Sequence, residues 1–397
     1  MRASFLISVA IPAVLLAGCN SQQGSSTSYQ SAPQEMAEAD QAAAPENAER
    51  YARNDVAAVR AVAQEPVSTF AVDVDTAAYA NVRRFLTQGQ LPPKDAVRTE
   101  ELINYFRYDY PLPQDRSAPF SITTDVAQTP WNPATRLLRI GLRGYDLSRA
   151  QRPPANLVFL VDVSGSMDEP DKLPLVKRAL GMVADNMKAG DHVSIVVYAG
   201  AAGVVLEPTS SPAAVRAALN DLSAGGSTAG GEGIALAYAM ARRNFREDGV
   251  NRVILASDGD FNVGVTDQTQ LEQLIEKNRD DGITLTVLGF GQGNLNDAMM
   301  ESIADKGNGN YAYVDGIDEA RKVLDTELAS ALFTIAKDVK VQVEFNPAAV
   351  SQYRLIGYEN RALREQDFQN DKVDAGDIGA GHQVTAIYEI VPASATR

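Results

Sequence analysis

The stretch that decides the fold is Leu157-Val-Phe-Leu-Val-Asp162-Val-Ser164-Gly-Ser166-Met167. Its five leading apolar residues predict a buried strand, and a carboxylate follows where that strand should end. Alternate side chains of an extended segment point the same way, so Asp162, Ser164 and Ser166 can face one point. Grouped hard oxygen donors suit Mg²⁺, which keeps water-filled positions for another ligand's oxygen. The sequence therefore predicts a metal site at the end of a strand.

Strands and helices alternate regularly around this stretch, over residues 155–334. Apolar strands are predicted at 157–161, 193–198, 253–256, 283–290 and 311–314, with a short antiparallel edge strand at 203–206. Helices are predicted at 171–188, 211–221, 232–246, 267–281, 296–305 and 317–334. This repetition is typical of an α/β fold with a doubly wound, mostly parallel sheet and helices on both faces. Ligands of such sheets bind beyond the carboxyl ends of the strands.

The flanking regions have different patterns. The pattern of apolar residues predicts a mixed α+β region over residues 67–150 and a β-rich region over residues 335–397. The predicted elements of the first region are a strand at 69–74, helices at 75–86 and 98–106, and strands at 120–127 and 136–142; those of the second are strands at 340–345, 352–358 and 383–391. A sheet of three strands with little cover would leave an exposed edge. Either the strands at 120–142 pair with it or the sequence is truncated, and both alternatives stay open.

Two further loops are expected at the edge where Asp162 lies. The loop Gly225-Gly-Ser-Thr228 precedes a helix and offers a hydroxyl, and the strand that starts at Val253 ends in Asp258. Two carboxylates brought together would repel each other, and a divalent cation removes that conflict. The predicted metal ligands are Asp162, Ser164, Ser166, Thr228 and Asp258.

This arrangement resembles the von Willebrand factor A (VWA) domain and its metal-ion-dependent adhesion site. The five residues match the family pattern of Asp-x-Ser-x-Ser, a loop Thr and a strand-end Asp without departure. The resemblance implies Mg²⁺ (or Mn²⁺) as cofactor, bound directly by the hydroxyls, while the aspartates often act through water. It also implies a protein partner whose acidic residue completes the coordination.

The resemblance extends to the bacterial YfbK-type VWA lipoproteins and covers most of residues 67–390. It is carried by Ser68-Thr-Phe-Ala-Val-Asp-Val-Asp-Thr, Glu101-Leu-Ile-Asn-Tyr-Phe, Asp258-Gly-Asp-Phe-Asn-Val-Gly and Asp374-Ala-Gly-Asp-Ile-Gly-Ala-Gly. Members of that group continue well past the point where this sequence ends. We therefore expect the β-rich C-terminal region to be truncated.

The N-terminus has the pattern of a targeting segment. Met1-Arg2 is positive, an apolar stretch follows, and Leu16-Ala17-Gly18-Cys19 resembles a bacterial lipobox. The prediction is a signal peptide over 1–18, lipid attachment at Cys19, and a flexible tether over 19–66 that is rich in Ser, Gln, Ala and Glu. Because Asn20 rather than Asp follows the cysteine, likeness to Gram-negative lipoproteins favours the outer membrane.

Composition excludes several other classes. The net charge is −15, which argues against nucleic acid as a partner. The sequence contains two histidines, His192 and His382, and one cysteine, which excludes internal disulfides and zinc sites of the Cys/His type. A basic partner or a divalent cation remains compatible with this charge.

Some weaker motifs have simpler explanations. Asp73-x-Asp75-Thr76 is one residue short of a phosphatase motif, so capping of the following helix by Asp75 or Thr76 is favoured. Gly289-Phe-Gly291-Gln-Gly293 lacks the spacing of a dinucleotide loop and predicts a tight turn.

Other polar residues are weaker candidates for site residues. His192 is expected to be structural, and Asp260 is expected to cap its loop rather than assist the metal. A loop with Asp371, Asp374 and Asp377 matches no standard calcium loop, which favours a solvated acidic turn.

The favoured function is a membrane-anchored binding module rather than an enzyme. An envelope assembly or chaperone-like role is the alternative. A metal-assisted hydrolase would need a general base such as Asp168, Glu169 or Asp260. A serine hydrolase is disfavoured because the Gly-x-Ser-x-Gly elbow is missing.

Overall fold

The computed structural model describes residues 48–73, 75–147, 151–226, 230–259, 268–327, 333–370, 373 and 375–395. The described strands are β1 (Arg60–Ala61), β2 (Val67–Ala71), β3 (Phe120–Gln128), β4 (Arg136–Gly144), β5 (Ala155–Asp162), β6 (His192–Tyr198), β7 (Ala202–Thr209), β8 (Val250–Ser257), β9 (Ile283–Phe290), β10 (Tyr311–Val314), β11 (Thr334–Ala336), β12 (Lys340–Glu344), β13 (Val350–Ile356), β14 (Ala362–Leu363), β15 (Ile378–Gly379) and β16 (Gln383–Pro392). The described α-helices are α1 (Ala77–Thr87), α2 (Thr99–Asn104), α3 (Leu173–Asp185), α4 (Pro212–Asp221), α5 (Gly230–Arg243), α6 (Gln268–Asp280), α7 (Asp297–Lys306) and α8 (Ile317–Arg321).

A six-stranded sheet in the order β10-β9-β8-β5-β6-β7 confirms the predicted fold class. Its strands are parallel except β7, which pairs antiparallel with β6 at the edge, as the sequence predicts. Every residue of β5 is buried, because this strand lies between β8 and β6 with helices on both faces. The order changes direction beside β5, so the loops after β5 and β8 meet at one edge.

The two faces of β5 pack against different helices, as the alternation of side chains along a strand requires. Phe159 and its same-side neighbours pack with α3, α4 and α8 in one core. Leu160 and its same-side neighbours pack with α5, α6 and α7 in the other. Helix α1 also contributes Ala77 and Ala80 to this second core, which attaches the N-terminal part of the chain to the sheet.

The predicted capping of α1 is wrong. Thr76 occupies the N-cap position, but its side chain makes no capping hydrogen bond. Asp75 instead accepts a hydrogen bond from the backbone amide of Tyr311 (2.9 Å), which ties the start of α1 to β10. Asp73 accepts a hydrogen bond from the amide of Asp75 (3.0 Å).

The regions before and after the six-stranded sheet share a second sheet. Its order is β1-β13-β16-β4-β3, so β4 pairs along its length with β16 in antiparallel register. The first of the two alternatives that the sequence left open is observed, because the strands at 120–142 pair with the C-terminal strands. Smaller sheets join β12, β2 and β14, and β11 with β15.

The predicted helix at 317–334 is wrong at its C-terminal end. Helix α8 ends at Arg321, Lys322–Glu327 form a π-helical segment, and Thr334 already belongs to β11. The predicted turn after β9 is present, with Gly291 and Gly293 at φ values of 71° and 90°. Among the described residues, none of the helices has the length and apolar character needed to cross a bilayer.

Candidate metal centre

The predicted ligands Asp162, Ser164 and Ser166 lie together at the carboxyl end of β5. Asp162 is fully buried and accepts a hydrogen bond from the amide of Ser164 at Oδ1 (2.9 Å). Residues Gly165–Asp168 then form a 3₁₀ turn, which places the Ser166 hydroxyl 3.1 Å from that of Ser164. The two hydroxyls therefore converge as expected, but through a 3₁₀ turn rather than through the extended segment that the sequence predicts.

Asp258 follows β8 at the same edge and is also fully buried. Its side chain hydrogen-bonds to Ser166, which joins the ends of β5 and β8. Ser257 donates a hydrogen bond from Oγ to Oδ2 of Asp162 (3.0 Å), so the two strand ends are joined a second time. The sheet thus brings both predicted carboxylates to the serine pair.

The loop at 225–226 lies directly against the serine turn. The Gly225 amide donates to the carbonyl of Val163 (2.7 Å), and the Gly165 amide donates to the carbonyl of Gly226 (3.0 Å). Gly226 has a φ of 89°, a conformation that favours glycine. Thr228, the fifth predicted ligand, lies outside the described residues, and so does Asp260.

Lys172 is a member of this site that the sequence motifs did not identify. It occupies the N-cap position of α3 and is 5% exposed. Its ammonium lies 2.9 Å from Asp258 Oδ2 and 3.1 Å from Asn294 Oδ1. Asn294 Nδ2 donates to the same oxygen of Asp258 (2.9 Å). A buried carboxylate therefore has two donors that do not come from the adhesion motif.

The two aspartates have opposite electrostatic environments. Burial raises the pKa of Asp162 to about 6; hydrogen bonds from Ser164 and Ser257 oppose this rise, and the negative charge of Asp258 adds to it. Burial also acts to raise the pKa of Asp258, but Asn294, Lys172 and Ser166 outweigh it, and the pKa is lowered. Asp258 is therefore ionised at neutral pH. A positive charge added beside Asp162 would favour its ionised form.

The donor set fits a small hard cation. Two serine hydroxyls converge beside two carboxylates, and oxygen donors of these types suit Mg²⁺. The part of the chain that the structure describes contains no cluster of three or more His, Cys, Asp or Glu side chains placed to hold a metal.

The weaker candidate residues of the sequence do not lie at this site. His192 begins β6, at the end of that strand opposite the site, and its ring nitrogen contacts Arg246. Asp377 accepts a hydrogen bond from the amide of Asp338 (3.1 Å). Asp371 and Asp374 lie outside the described residues, so the acidic turn stays a prediction.

Comparison with known proteins identifies the family. Family models match at residues 45–139 (von Willebrand factor), 156–326 (von Willebrand factor type A domain) and 330–397 (uncharacterized protein YfbK, C-terminal). The uncharacterized protein YfbK of Escherichia coli strain K12 is 47% identical over 349 residues, which cover 86% of this chain and 61% of that protein. The chain is a VWA-domain protein of the YfbK type.

More distant proteins also resemble this YfbK-type chain. The uncharacterized protein sll0103 of Synechocystis sp. is 31% identical over 187 residues, which cover 47% of this chain and 43% of that protein. A solved structure, von Willebrand factor type A from Catenulispora acidiphila, aligns with a TM-score of 0.42 and 19% identity, covering 65% of this chain and 60% of that one. The alignments span 61% of YfbK and 43% of sll0103, less than two thirds of either relative.

Proposed function

We propose that this VWA protein is a membrane-anchored binding module that captures a protein partner through a Mg²⁺-dependent adhesion site. The observation that carries the proposal is the Ser164–Ser166 hydroxyl pair, 3.1 Å apart, next to a buried, ionised Asp258. Such a pair at the carboxyl edge of a parallel sheet lies where ligands of this fold class bind.

Each residue has a distinct role in this proposal. Ser164 and Ser166 would bind the metal directly, and Asp162 and Asp258 would balance its charge through water. Thr228 completes the family pattern. When bound, Mg²⁺ would supply a Lewis-acidic centre that accepts a carboxylate oxygen from the partner. Because the direct protein ligands would be neutral hydroxyls, the metal would keep a strong preference for an incoming acid.

Anchoring is proposed from the N-terminal sequence. Cys19 follows the apolar segment at the position that a lipobox requires, and acylation there would attach the chain to the outer membrane. Buried methylenes contribute about 0.8 kcal/mol each, so several acyl chains would anchor the protein durably. The bound partner would accordingly be an envelope or surface protein.

Binding is favoured over catalysis by the surroundings of the serines. Ser164 Oγ contacts Ser166 Oγ, and His192 lies at the opposite end of its strand. A nucleophilic serine needs an effective base within hydrogen-bond reach. The group that Ser166 reaches is Asp258, a carboxylate whose lowered pKa makes it a weak base. This arrangement supports metal ligation by the hydroxyls rather than their activation for attack.

Affinity capture from a cell-envelope extract tests the proposal. The full chain is immobilised and incubated with Mg²⁺, with EDTA, and as the variants Asp162→Ala, Ser166→Ala and Asp168→Ala. Asp168 is exposed beside the site and serves as the matched control. We expect one set of partners with Mg²⁺ for the wild type and Asp168→Ala, and its loss in the other three arms. Equal capture in every arm would remove the proposal.

A further inference from the structure

The side chain of Lys172 is buried and has two fixed polar contacts, unlike a flexible lysine on the surface. The ammonium bridges Asp258 and Asn294, and only 5% of the residue is exposed. These three side chains come from the loops after β5, β8 and β9, so three strand ends position one ion pair.

Gly291 makes room for the lysine stem. A Cβ on Gly291 would lie 2.3 Å from Cε and 2.5 Å from Cγ of Lys172, which no real contact permits. Its φ of 71° also favours glycine, and its carbonyl accepts a hydrogen bond from the Tyr313 hydroxyl (2.6 Å). The absence of a side chain at Gly291 therefore leaves space for the aliphatic part of Lys172, whose ammonium contacts Asp258.

This ammonium changes the charge balance of the metal site. Two ionised aspartates would be neutralised by one divalent cation alone. With Lys172 beside Asp258, the same cation leaves an excess of one positive charge. A like charge a few Å away weakens cation binding, whereas the excess charge strengthens the attraction for an incoming carboxylate.

We propose that Lys172 is a tethered counter-ion of Asp258 that lowers the affinity of the metal on its own and couples tight metal binding to an acidic partner. The inference rests on the proposed metal site and adds its regulation. In the metal-free protein, Lys172 balances the buried carboxylate. In the complex, the partner's carboxylate offsets the excess charge, so metal and partner bind cooperatively.

The alternative is that Lys172 only holds Asp258 in place. The two roles predict opposite results for Lys172→Met, which removes the charge and keeps the length of the side chain. A positioning role predicts weaker metal binding, because Asp258 would lose its orientation. The counter-ion role predicts tighter binding, because the repulsion on the metal is gone.

Mn²⁺ binding to the full chain, measured by the loss of the free-Mn²⁺ electron paramagnetic resonance signal, separates these roles. We expect Lys172→Met to lower the Kd for Mn²⁺ by about tenfold or more, the size that a neighbouring charge gives in comparable equilibria. Lys177→Met is the matched control: it lies on the same helix, and its ammonium binds the carbonyls of Asn220 and Leu222. Lys172→Gln is the second variant, since it keeps a hydrogen-bond donor for Asp258 if the Met variant does not fold.

Acetate at constant ionic strength serves as the carboxylate probe. It should tighten Mn²⁺ binding more in the wild type and Lys177→Met than in Lys172→Met. An unchanged or raised Kd in both Lys172 variants, with a wild type that binds Mn²⁺, overturns the counter-ion role and leaves the adhesion site intact. No Mn²⁺ binding by the wild type or any variant overturns the metal site and this inference with it.

Discussion

Two regions of the molecule bury carboxylates, and they treat the charge differently. At the sheet edge, Lys172 and Asn294 overcome the effect of burial and lower the pKa of Asp258. In the cluster between α2 and α7, burial and neighbouring carboxylates raise the pKa of Glu100 and of Glu301 to about 7. Asp258 in the first region is therefore ionised at neutral pH. Glu100 and Glu301 in the second region are partly protonated at that pH.

The difference follows from the position of each region in the fold. The α2–α7 cluster consists of Arg98, Glu100, Glu101, Asp297 and Glu301. Arg98 lies 2.5 Å from Asp297 and 3.3 Å from Glu301, and also contacts Glu101. One arginine thus ties a short helix from the N-terminal part of the chain to a helix of the six-stranded sheet. The carboxylates of the α2–α7 cluster attach α2 to α7 through Arg98, while those at the sheet edge are placed to bind a cation.

The largest expected effect comes from breaking the attachment. Arg98→Met should lower the free energy of unfolding by about 3–5 kcal/mol, because it leaves several buried carboxylates without their cation. Urea unfolding of the full chain measures this. Arg321→Met is the control, since Arg321 and Asp318 are 58% and 92% exposed and such a pair contributes at most about 1 kcal/mol. Equal losses of unfolding free energy in the two variants would show that the buried cluster stabilises the fold no more than an exposed ion pair does.

Metal binding should stabilise the other region. Mg²⁺ at a hundredfold excess over its Kd should add about 2.7 kcal/mol to the free energy of unfolding, if it binds only the folded protein. The melting temperature should rise with Mg²⁺, return with EDTA, and stay unchanged in Asp258→Ala. Asp168→Ala should keep the rise. A wild-type melting temperature that does not change with millimolar Mg²⁺ or Mn²⁺ would mean that the sheet edge binds no metal and that the Lys172–Asp258 ion pair there is structural.

The sequence predicted most of the six-stranded sheet because its strands are short apolar runs that end in recognisable turns. Asp162 and Asp258 could be placed at one edge for the same reason, since parallel strands end together. The pairing of β4 with β16 could not be chosen, because hydrophobic alternation identifies a strand but not its neighbour. Exposed edge strands were the available clue, and they left two solutions open.

Individual side chains were harder to predict than the sheet. Lys172 was missed because its partner Asp258 is 86 residues away and no local motif links them. A lysine at the start of the helix after the serine turn, together with Gly291 after another strand, was the signal available. Asp75 was assigned to a helix cap because local capping is common, but the Tyr311 amide binds its Oδ1.

The smallest expected effect is a pH dependence that arises in the α2–α7 cluster. Burial, and then the charges of Glu101 and Asp73, raise the pKa of Glu100 from 4.5 to about 7 in the folded chain. The folded state then binds more protons than the unfolded state, so stability increases as the pH falls and is lost as it rises through about 7. Between pH 8 and 6.5 this group should add somewhat less than about 1 kcal/mol.

Urea unfolding at these two pH values checks this effect in the wild type, Glu100→Gln and Glu247→Gln. The exposed Glu247 provides the control. Glu100→Gln should make the profile shallower, because a neutral amide takes the place of the protonated acid, while Glu101 and Glu301, whose pKa values are also raised to about 7, keep part of the slope. Glu247→Gln should leave the profile unchanged. The range stops at pH 6.5 because burial lowers the pKa of His382 to about 4, which destabilises the fold at lower pH. A profile of equal slope in Glu100→Gln and the wild type would mean that Glu100 stays ionised in the folded chain, and the contrast between the two regions would then rest on Glu101 and Glu301 alone.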